Sequence, residues 1–383
     1  MSGLRGAAAV VGVGHACLGE APGLSPIEIL AQAAEAAVRD AGLKMADVDG
    51  IISASPVYNM ASMTAAEYLG IRPRFTDSTT LGGSSFVSHI TPAALALEAG
   101  LCDVVLIAYG SNQRSATGRL VSNSYPDAYE GPYNLRQPIT SYALAASRHM
   151  YQYGTTREQL AEVAVAARAW ARLNPEAFMR GPLCIDDVLA SRMISDPLSK
   201  LDCCLVTDGG GAMVVVRAER AKDMPNAPVY VLGHATAHWH RYISQMEDLT
   251  VTAATESGAR ACEMAGVGPA DVDVLELYDA FTINTIMFLE DLGFCAKGEG
   301  GDFVSDGAIA PGGRLPVNTN GGGLSCVHPG MYGIFPFIEA VRQVRGACGE
   351  RQVDNVDIAL AHGNGGVFSS QATVILGGEA TLS

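Results

Sequence analysis

The chain has 383 residues, of which 48% are hydrophobic and 17% are charged, and it contains 43 glycines. This composition is typical of a compact enzyme with many tight turns, and it excludes a disordered or fibrous protein. The formal net charge of −15 argues against a nucleic-acid-binding protein, because phosphate contacts need clustered Lys and Arg.

The N-terminal part of the chain predicts strands and helices in alternation. Residues 8–14 form a short apolar run that predicts a strand, and residues 25–28 (Ser-Pro-Ile-Glu) predict the capped start of a helix. Residues 90–100 predict a buried helix, and residues 103–108 predict a buried strand. Repeated strand–helix–strand units favour a layered α/β fold.

The composition changes between about residues 111 and 195, where polar turns alternate with helices rich in Ala, Arg and Met. One of these helices is predicted over residues 157–173. We interpret the whole stretch as an inserted cap region. Residues 202–211 then predict a return to the core that leads into a strand over residues 212–216. The Pro-containing segment 222–228 is the best linker candidate.

The C-terminal part repeats the plan of the N-terminal part. Strands are predicted over residues 229–233, 272–277, 356–361 and 372–377, and a helix over residues 255–266. Two stretches with the same plan indicate a duplicated core. We therefore expect an N-terminal half over residues 1–222, which includes the cap, and a C-terminal half over residues 229–383.

Four segments combine glycines with polar side chains at predicted turns. They are residues 81–85 (Leu-Gly-Gly-Ser-Ser), 278–281 (Tyr-Asp-Ala-Phe), 318–330 (Asn-Thr-Asn-Gly-Gly-Gly to Val-His-Pro-Gly) and 362–366 (His-Gly-Asn-Gly-Gly). In this order they resemble the nucleophile loop, the His-Asp-Cys/Ala-Phe box, the Gly-His-Pro box and the C-terminal glycine loop of sterol-carrier-protein-type thiolases. The resemblance spans nearly the whole chain, and it implies the five-layer αβαβα fold of two similar halves, usually as a homodimer.

The first segment departs from the family at its most important position, because the nucleophilic cysteine would fall at Gly83. Without a thiolate, the chain cannot form an acyl-enzyme there. The turn still precedes a predicted helix, whose first N–H groups can bind an oxyanion, so we expect Gly83 and Ser84 to contact substrate. Two alternatives stay open for Ser84, which are a plain helix cap and a serine nucleophile.

Two tyrosines and a histidine are the main candidates for catalysis. Tyr278 follows a predicted strand, where α/β enzymes place active-site residues, and it stands where the family has a histidine that holds the thioester oxygen. A phenol can donate a hydrogen bond there or move a proton. By resemblance, His328 is an oxyanion donor or a base. Tyr332 departs from the family pattern and is either a pocket wall or a further acid–base group.

The last glycine loop supplies a second histidine. His362 begins this loop, as in sterol-carrier-type members, and imidazole is suited to proton transfer near neutral pH. Asn320 and Gly365 complete the expected oxyanion and substrate-binding set. His238 and His240 lack a nearby third ligand, so we expect no metal site and no cofactor held by this chain.

These groups without a nucleophile suit the enolate of a thioester, which a retro-aldol cleavage forms. The pattern resembles the cysteine-less thiolase-like aldolases of bacterial steroid side-chain degradation. The resemblance implies cleavage of a steroid-type 3-hydroxyacyl-CoA to a ketosteroid and a short acyl-CoA. It also implies a small partner protein with an OB-fold and a zinc ribbon, bound to a homodimer core in a heterotetramer. A non-catalytic acyl-CoA-binding or scaffold subunit and a residual acyltransferase remain as alternatives.

Cysteine usage and apolar runs indicate the compartment. Nine cysteines without a Cys-x-x-Cys pair do not resemble a disulfide framework. The first apolar run lacks a cleavage-like site, and no run reaches the roughly 18 residues that span a bilayer. We therefore expect a reduced cytoplasmic protein without a membrane span.

Overall fold

The computed structural model describes residues 2–117 and 129–382, so residues 118–128 of the predicted cap lie outside the described residues. The strands are β1 Ala8–Gly19, β2 Gly50–Ser53, β3 Phe75–Asp77, β4 Val104–Ser111, β5 Met193–Ser195, β6 Leu198–Ser199, β7 Asp208–Arg217, β8 Val229–His238, β9 Val274–Leu277, β10 Ile358–Gly365 and β11 Ser370–Gly377. The helices are α1 Pro26–Asp40, α2 Ala61–Leu69, α3 Ser85–Ser88, α4 Ile90–Glu98, α5 Gln113–Thr117, α6 Ile139–Tyr153, α7 Arg157–Leu173, α8 Ile185–Ala190, α9 Ala218–Ala221, α10 Ala254–Ala265, α11 Thr282–Asp291, α12 Gly300–Val304 and α13 Ile334–Val344.

The large sheet has the strand order β3-β2-β4-β7-β1-β8-β11-β10-β9. Strands β1 and β8 meet at the residue pairs Ala9–Tyr230 and Val10–Val229. This short seam joins a first half-sheet from the N-terminal part of the chain to a second one from the C-terminal part. Each half-sheet contains both parallel and antiparallel pairs.

Helices lie outside and between the two half-sheets. Helix α1 packs on β1, β4 and β7, and α10 packs on β8 and β11. Helices α4 and α13 contact strands of both half-sheets, so they form the central layer. The expected five-layer α/β arrangement is therefore confirmed. Among the described residues, no helix combines the length and the apolar character that crossing a membrane requires.

The predicted elements are confirmed, and their ends differ. Helix α1 has the predicted capping box, in which the N–H of Glu28 donates to the Ser25 hydroxyl and the Glu28 carboxylate accepts from the N–H of Ser25 at 2.8 Å. Helix α7 spans the predicted residues. Strands β7 and β10 are longer than predicted, because their glycine-rich ends, which look like turns in the sequence, pair with neighbouring strands. Strand β1 also continues past the prediction, as residues 15–19 pair with β7.

The described part of the segment between β4 and β7 consists of α5 to α8 and the small β5–β6 sheet, outside the large sheet. Its helix α7 contacts a π-helical turn at Gly322–Cys326. Arg168 Nε donates to Ser325 Oγ at 2.9 Å, and Asn174 Nδ2 donates to the Asn320 carbonyl at 2.8 Å. The segment thus holds the loop that carries His328.

Candidate active site

A cavity of about 800 Å³ lies where the four predicted segments meet. It is lined by Leu81–Gly83, Tyr278 with Ala280 and Phe281, His328 with Gly330 and Met331, and residues 364–367, 369 and 370 of the last loop. The wall also includes residues before α6 and at the end of β8, namely Glu130, Gly131, Asn134, Leu135, Gln137, Pro138, His238, His240, Arg241 and Tyr242. Strand ends and loops from both halves therefore form one site, as the resemblance implies.

The eight predicted site residues fall into two groups. Gly83, Tyr278, His328 and Gly365 line the cavity. The structure does not bring Ser84, Asn320, Tyr332 or His362 to the cavity wall, and all four side chains are buried behind it.

Tyr278 occupies the space that a side chain at Gly83 would need. A Cβ atom built on Gly83 would lie 2.2 Å from Cε2 and 2.4 Å from the hydroxyl oxygen of Tyr278. Ordinary van der Waals contacts of carbon atoms are about 3.5–4.0 Å. A cysteine at position 83 therefore cannot coexist with the phenol in its present position, and the two residues are alternatives for one volume.

The Tyr278 hydroxyl is fixed by backbone groups of the His328 loop. It donates to the Gly330 carbonyl and accepts from the N–H of Tyr332, both at 3.2 Å. Burial raises the pKa of Tyr278 well above its usual value, so the phenol is neutral. A neutral phenol can donate a proton or relay one, but it does not act as a standing phenolate.

His328 has two buried ring nitrogens without a hydrogen-bond partner among the described residues. Its backbone is held, since its N–H donates to Thr207 Oγ1 at 2.9 Å and its carbonyl accepts from Gln113 Nε2 at 2.7 Å. Burial lowers the pKa of His328 to about 4, so the imidazole is neutral and has one donor and one acceptor. Buried polar atoms are normally satisfied, so this ring is available to a ligand in the cavity.

Tyr332 lies behind His328. The two rings stack with centroids 5.8 Å apart, and the Tyr332 ring also stacks on Phe335 at 5.7 Å. The Tyr332 hydroxyl donates to Asn320 Oδ1 at 3.3 Å, and this oxygen also accepts from the N–H of Gly322 at 2.7 Å. Tyr332 and Asn320 therefore support the histidine loop from outside the cavity.

Ser84 and Gly365 join the first and last glycine loops. The Ser84 hydroxyl donates to the Leu81 carbonyl at 3.0 Å and shares a hydrogen bond with Ser370 Oγ at 2.7 Å. Ser84 occupies the N-cap position of α3, but its side chain makes no capping bond. A Cβ on Gly365 would lie 1.7 Å from the Leu81 carbonyl oxygen, so the contact requires glycine. No base contacts Ser84 among the described residues, which argues against a serine nucleophile.

His362 is buried in the second half-sheet. Its Nδ1 bonds Thr373 Oγ1 and its Nε2 bonds Gln371 Oε1, both at 2.9 Å, and its ring packs against Phe288 at 4.6 Å. Burial lowers the pKa of His362 to about 4. The sequence pattern placed this histidine in the glycine loop, whereas β10 continues through it and turns the ring inward.

Comparisons with known proteins agree with the fold described above. A family model described as thiolase C-terminal domain-like matches residues 235–378. A "Steroid side-chain-cleaving aldolase" of Thermomonospora curvata is 35% identical, over 95% of this chain and 97% of that protein. The chain belongs to the thiolase superfamily.

Other members of the superfamily are similar to the same degree. An acetyl-CoA acetyltransferase of Methanothermobacter thermautotrophicus is 35% identical, over 96% of this chain and 98% of that protein. A solved structure described as the "Ltp2-ChsH2(DUF35) aldolase" superposes with a TM-score of 0.90 at 34% identity, over 99% of this chain and 100% of that chain. Overall similarity to relatives therefore does not distinguish acyl transfer from aldol chemistry. The distinction has to come from the residues of the site.

This thiolase-like enzyme also has cavity residues that the sequence analysis did not single out. Tyr142 of α6 and Asn364 of β10 line the cavity, and Asn364 Nδ2 donates to the Tyr142 hydroxyl at 2.7 Å. Arg241 lies at the mouth, with its guanidinium 5.1 Å from the Tyr242 ring centre. No local sequence pattern marks Asn364, because it lies in a glycine-rich segment that looks like a loop and that β10 in fact continues through.

The two histidines near the cavity mouth, His238 and His240, were the only metal candidates of the sequence analysis. Among the described residues, no group of three or more His, Cys, Asp or Glu side chains could hold a metal ion. His240 Nε2 instead bonds the Val367 carbonyl at 3.0 Å.

Proposed function

We propose that this chain is an acyl-CoA aldolase that cleaves a steroid-type 3-hydroxyacyl-CoA to a ketosteroid and a short acyl-CoA, without a covalent acyl-enzyme. The observation that carries the proposal is the Tyr278 phenol in the space that a nucleophile at Gly83 would need. The acyl-transfer nucleophile is missing, while neutral oxygen-binding groups remain in the cavity. The name of the Thermomonospora curvata relative, a steroid side-chain-cleaving aldolase, supports the same reaction and substrate class.

The proposed reaction breaks one carbon–carbon bond and needs two proton transfers, one from the 3-hydroxyl and one to carbon, which cancel in the overall balance. The 3-hydroxyl loses its proton and the Cα–Cβ bond breaks. The electron pair of this bond forms the enolate of the thioester, and the Cα of the enolate then takes a proton. The N–H of His328, with the backbone amides of Gly83 and Gly365, stabilises the negative charge on the thioester oxygen. Donors fixed in a buried site need no reorganisation as this charge develops.

Tyr278 is suited to the proton transfers because it is neutral and reaches the cavity. Its oxygen takes the hydroxyl proton while its own proton passes to the enolate carbon, so no free phenolate has to form. Tyr332 contributes through its backbone N–H, which donates to the Tyr278 oxygen. His362 does not reach the cavity, so any contribution that it makes to the reaction is indirect.

We also propose a homodimer that binds a small OB-fold and zinc-ribbon partner. Its support is the similar solved structure, whose description pairs Ltp2 with ChsH2(DUF35). Any zinc in such an assembly would belong to the partner protein.

The direct test mixes the purified chain, with and without its partner, with a steroid-type 3-hydroxyacyl-CoA. Mass spectrometry should detect the ketosteroid and the short acyl-CoA in equal amounts, and a Tyr278→Phe control should release neither at a comparable rate. Thioester binding without products under every condition would contradict the aldolase and indicate a scaffold subunit. An acyl adduct on Ser84 would instead indicate acyl transfer.

A further inference from the structure

A chain of hydrogen bonds runs from the interior of the second half-sheet to the cavity. Residues 362 and 364 are two positions apart on β10, so their side chains share one face of the strand. The antiparallel register sets His362 opposite Thr373 and Asn364 opposite Gln371 on β11. The four side chains therefore form a compact polar group, and all of them are buried.

The direction of each hydrogen bond in this group follows from its donors and acceptors. Gln371 Nε2 donates to Asn364 Oδ1 at 2.8 Å, so the Gln371 oxygen faces His362. His362 must then carry its proton on Nε2 and accept at Nδ1 from the Thr373 hydroxyl. Thr373 Oγ1 also bonds Ser257 Oγ at 2.9 Å, which anchors the inner end.

The same chain fixes the carboxamide of Asn364 at the cavity wall. The Asn364 side-chain oxygen accepts from Gln371, so its side-chain nitrogen faces and donates to the Tyr142 hydroxyl. The Tyr142 hydroxyl in turn donates to the Gly366 carbonyl at 3.0 Å. Burial raises the pKa of Tyr142 to about 12, so this hydroxyl stays protonated. A primary amide has two N–H groups, and the second one of Asn364 has no acceptor among the described residues.

We propose that Asn364 binds the 3-oxygen of the substrate through this second N–H, and that His362 and Gln371 are positioning residues that fix its orientation. The inference rests on the proposed function, in which His328 and the glycine amides already serve the thioester oxygen. The 3-hydroxyl oxygen becomes negatively charged as it loses its proton, and a fixed neutral donor stabilises that charge. His362 acts in this way without entering the cavity.

The kinetic test uses the chain with its partner and compares kcat/KM. Asn364→Ala should lower kcat/KM by about tenfold to a hundredfold, as loss of a fixed donor does. His362→Leu removes the donor to Gln371 and should cause a similar loss, whereas His362→Gln keeps an N–H near the Nε2 position and should recover most of it. Because His362 acts through Asn364, the double variant should be no slower than Asn364→Ala alone. Additive losses would overturn the positioning role.

A binding experiment tests the same proposal without relying on turnover. In the Tyr278→Phe background, calorimetry compares the 3-hydroxyacyl-CoA with the thioester that lacks the 3-hydroxyl. Asn364→Ala should weaken the hydroxylated ligand about fivefold to tenfold, as loss of one hydrogen bond does, and leave the other unchanged. Equal weakening of both ligands means that Asn364 only shapes the cavity, and it overturns the proposal even if the aldolase activity is real.

Thermal unfolding identifies variants that fail to fold before the kinetic and binding measurements are interpreted. If His362→Leu unfolds, Tyr142→Phe takes its place, since the ring contacts with Phe281 and Phe368 at 4.5 Å can remain. This change removes the acceptor that holds the Asn364 nitrogen, and it should lower the affinity for the hydroxylated ligand alone. An unchanged affinity would contradict the proposed orientation.

Discussion

At the scale of single residues, Tyr278 and Gly83 determine what chemistry the cavity allows. The phenol ring fills the volume beside Gly83 and is tied to the backbone of the His328 loop. Next to it, His328 offers two ring nitrogens that no described residue satisfies. The site therefore combines a neutral phenol with an imidazole free to bind a ligand, and it leaves no room for an acyl-accepting side chain at position 83.

The first prediction separates the two tyrosines. Tyr278→Phe removes the hydroxyl that reaches the cavity and should lower kcat by at least about a hundredfold, the usual scale of acid–base catalysis. Tyr332→Phe is the matched control, because it removes a hydroxyl that contacts Asn320 behind the wall, and it should cost less than about tenfold. Equal losses of the two variants in steady-state assays would contradict the assignment of the proton transfers to Tyr278.

The second prediction tests the shared volume. Gly83→Cys alone should lower the thermal unfolding temperature, since overpacking a filled site costs about 1–3 kcal/mol. Adding Tyr278→Ala provides the missing space, so the double variant should regain stability relative to Gly83→Cys. Iodoacetamide should then alkylate the new thiol in the double variant and leave position 83 of the single variant unlabelled. A stable, reactive thiol in the single variant would mean that the phenol moves freely.

At the scale of elements, the loops determine which side chains reach the cavity more than the helices and strands do. The strands and helices near the cavity follow from apolar patterns and capping residues, as α1 and α7 illustrate. The inward turn of His362 could not be predicted, because the sequence does not show that β10 continues into the glycine loop. The clash between Gly83 and Tyr278 was equally hidden, since it depends on how two distant loops pack together.

The third prediction concerns Asp279, which holds the π-helical turn. Its carboxylate accepts from the N–H groups of Gly323 at 2.6 Å and Leu324 at 3.3 Å, and burial raises its pKa from 3.8 to about 7. As the pH rises from about 4 to about 7, the unfolded chain ionises this group first, so its contribution to stability falls across that range. Above about pH 7 the contribution is constant.

Asp279→Asn removes this titration. The unfolding temperature of the variant, relative to that of the wild type, should therefore rise between pH 4 and pH 7, as measured by circular dichroism. Asp186→Asn on the exposed side of α8 is the control, because this side chain lies in solvent. A constant difference between Asp279→Asn and the wild type would place the ionisation of Asp279 outside this range.

At the scale of the whole molecule, the resemblance predicted the five layers, the two-half plan and the meeting of four segments at one cavity. It could not predict the composition of the wall between those segments. Tyr142 and Asn364 come from different halves and meet only after the cap helix α6 has packed on the last loop. Contacts of this kind depend on three-dimensional packing and leave no local pattern in the sequence.

The fourth prediction concerns assembly. Strand β3 ends the large sheet and is contacted by helix α2. Three apolar side chains before and within α2 are exposed, namely Val57, Met60 and Met63. An open edge strand beside apolar surface favours pairing with a second copy. Light scattering on the chain alone should give twice the 39.9 kDa of one chain.

Met63→Asp should lower that mass towards a single chain. Tyr151→Asp on α6, at an even more exposed large side chain elsewhere, should leave it unchanged. A single-chain mass for the wild type at micromolar concentration would contradict the proposed homodimer.

The exclusion between a side chain at position 83 and the phenol at position 278 also constrains how two chemistries can interconvert during evolution. A cysteine gained before the tyrosine is lost meets a steric barrier, and a tyrosine lost first leaves neither a nucleophile nor a proton carrier. Each single step therefore passes through a protein that performs neither reaction well. Lineages on this fold should consequently differ at both positions together, so the pair of residues records which reaction a member inherited.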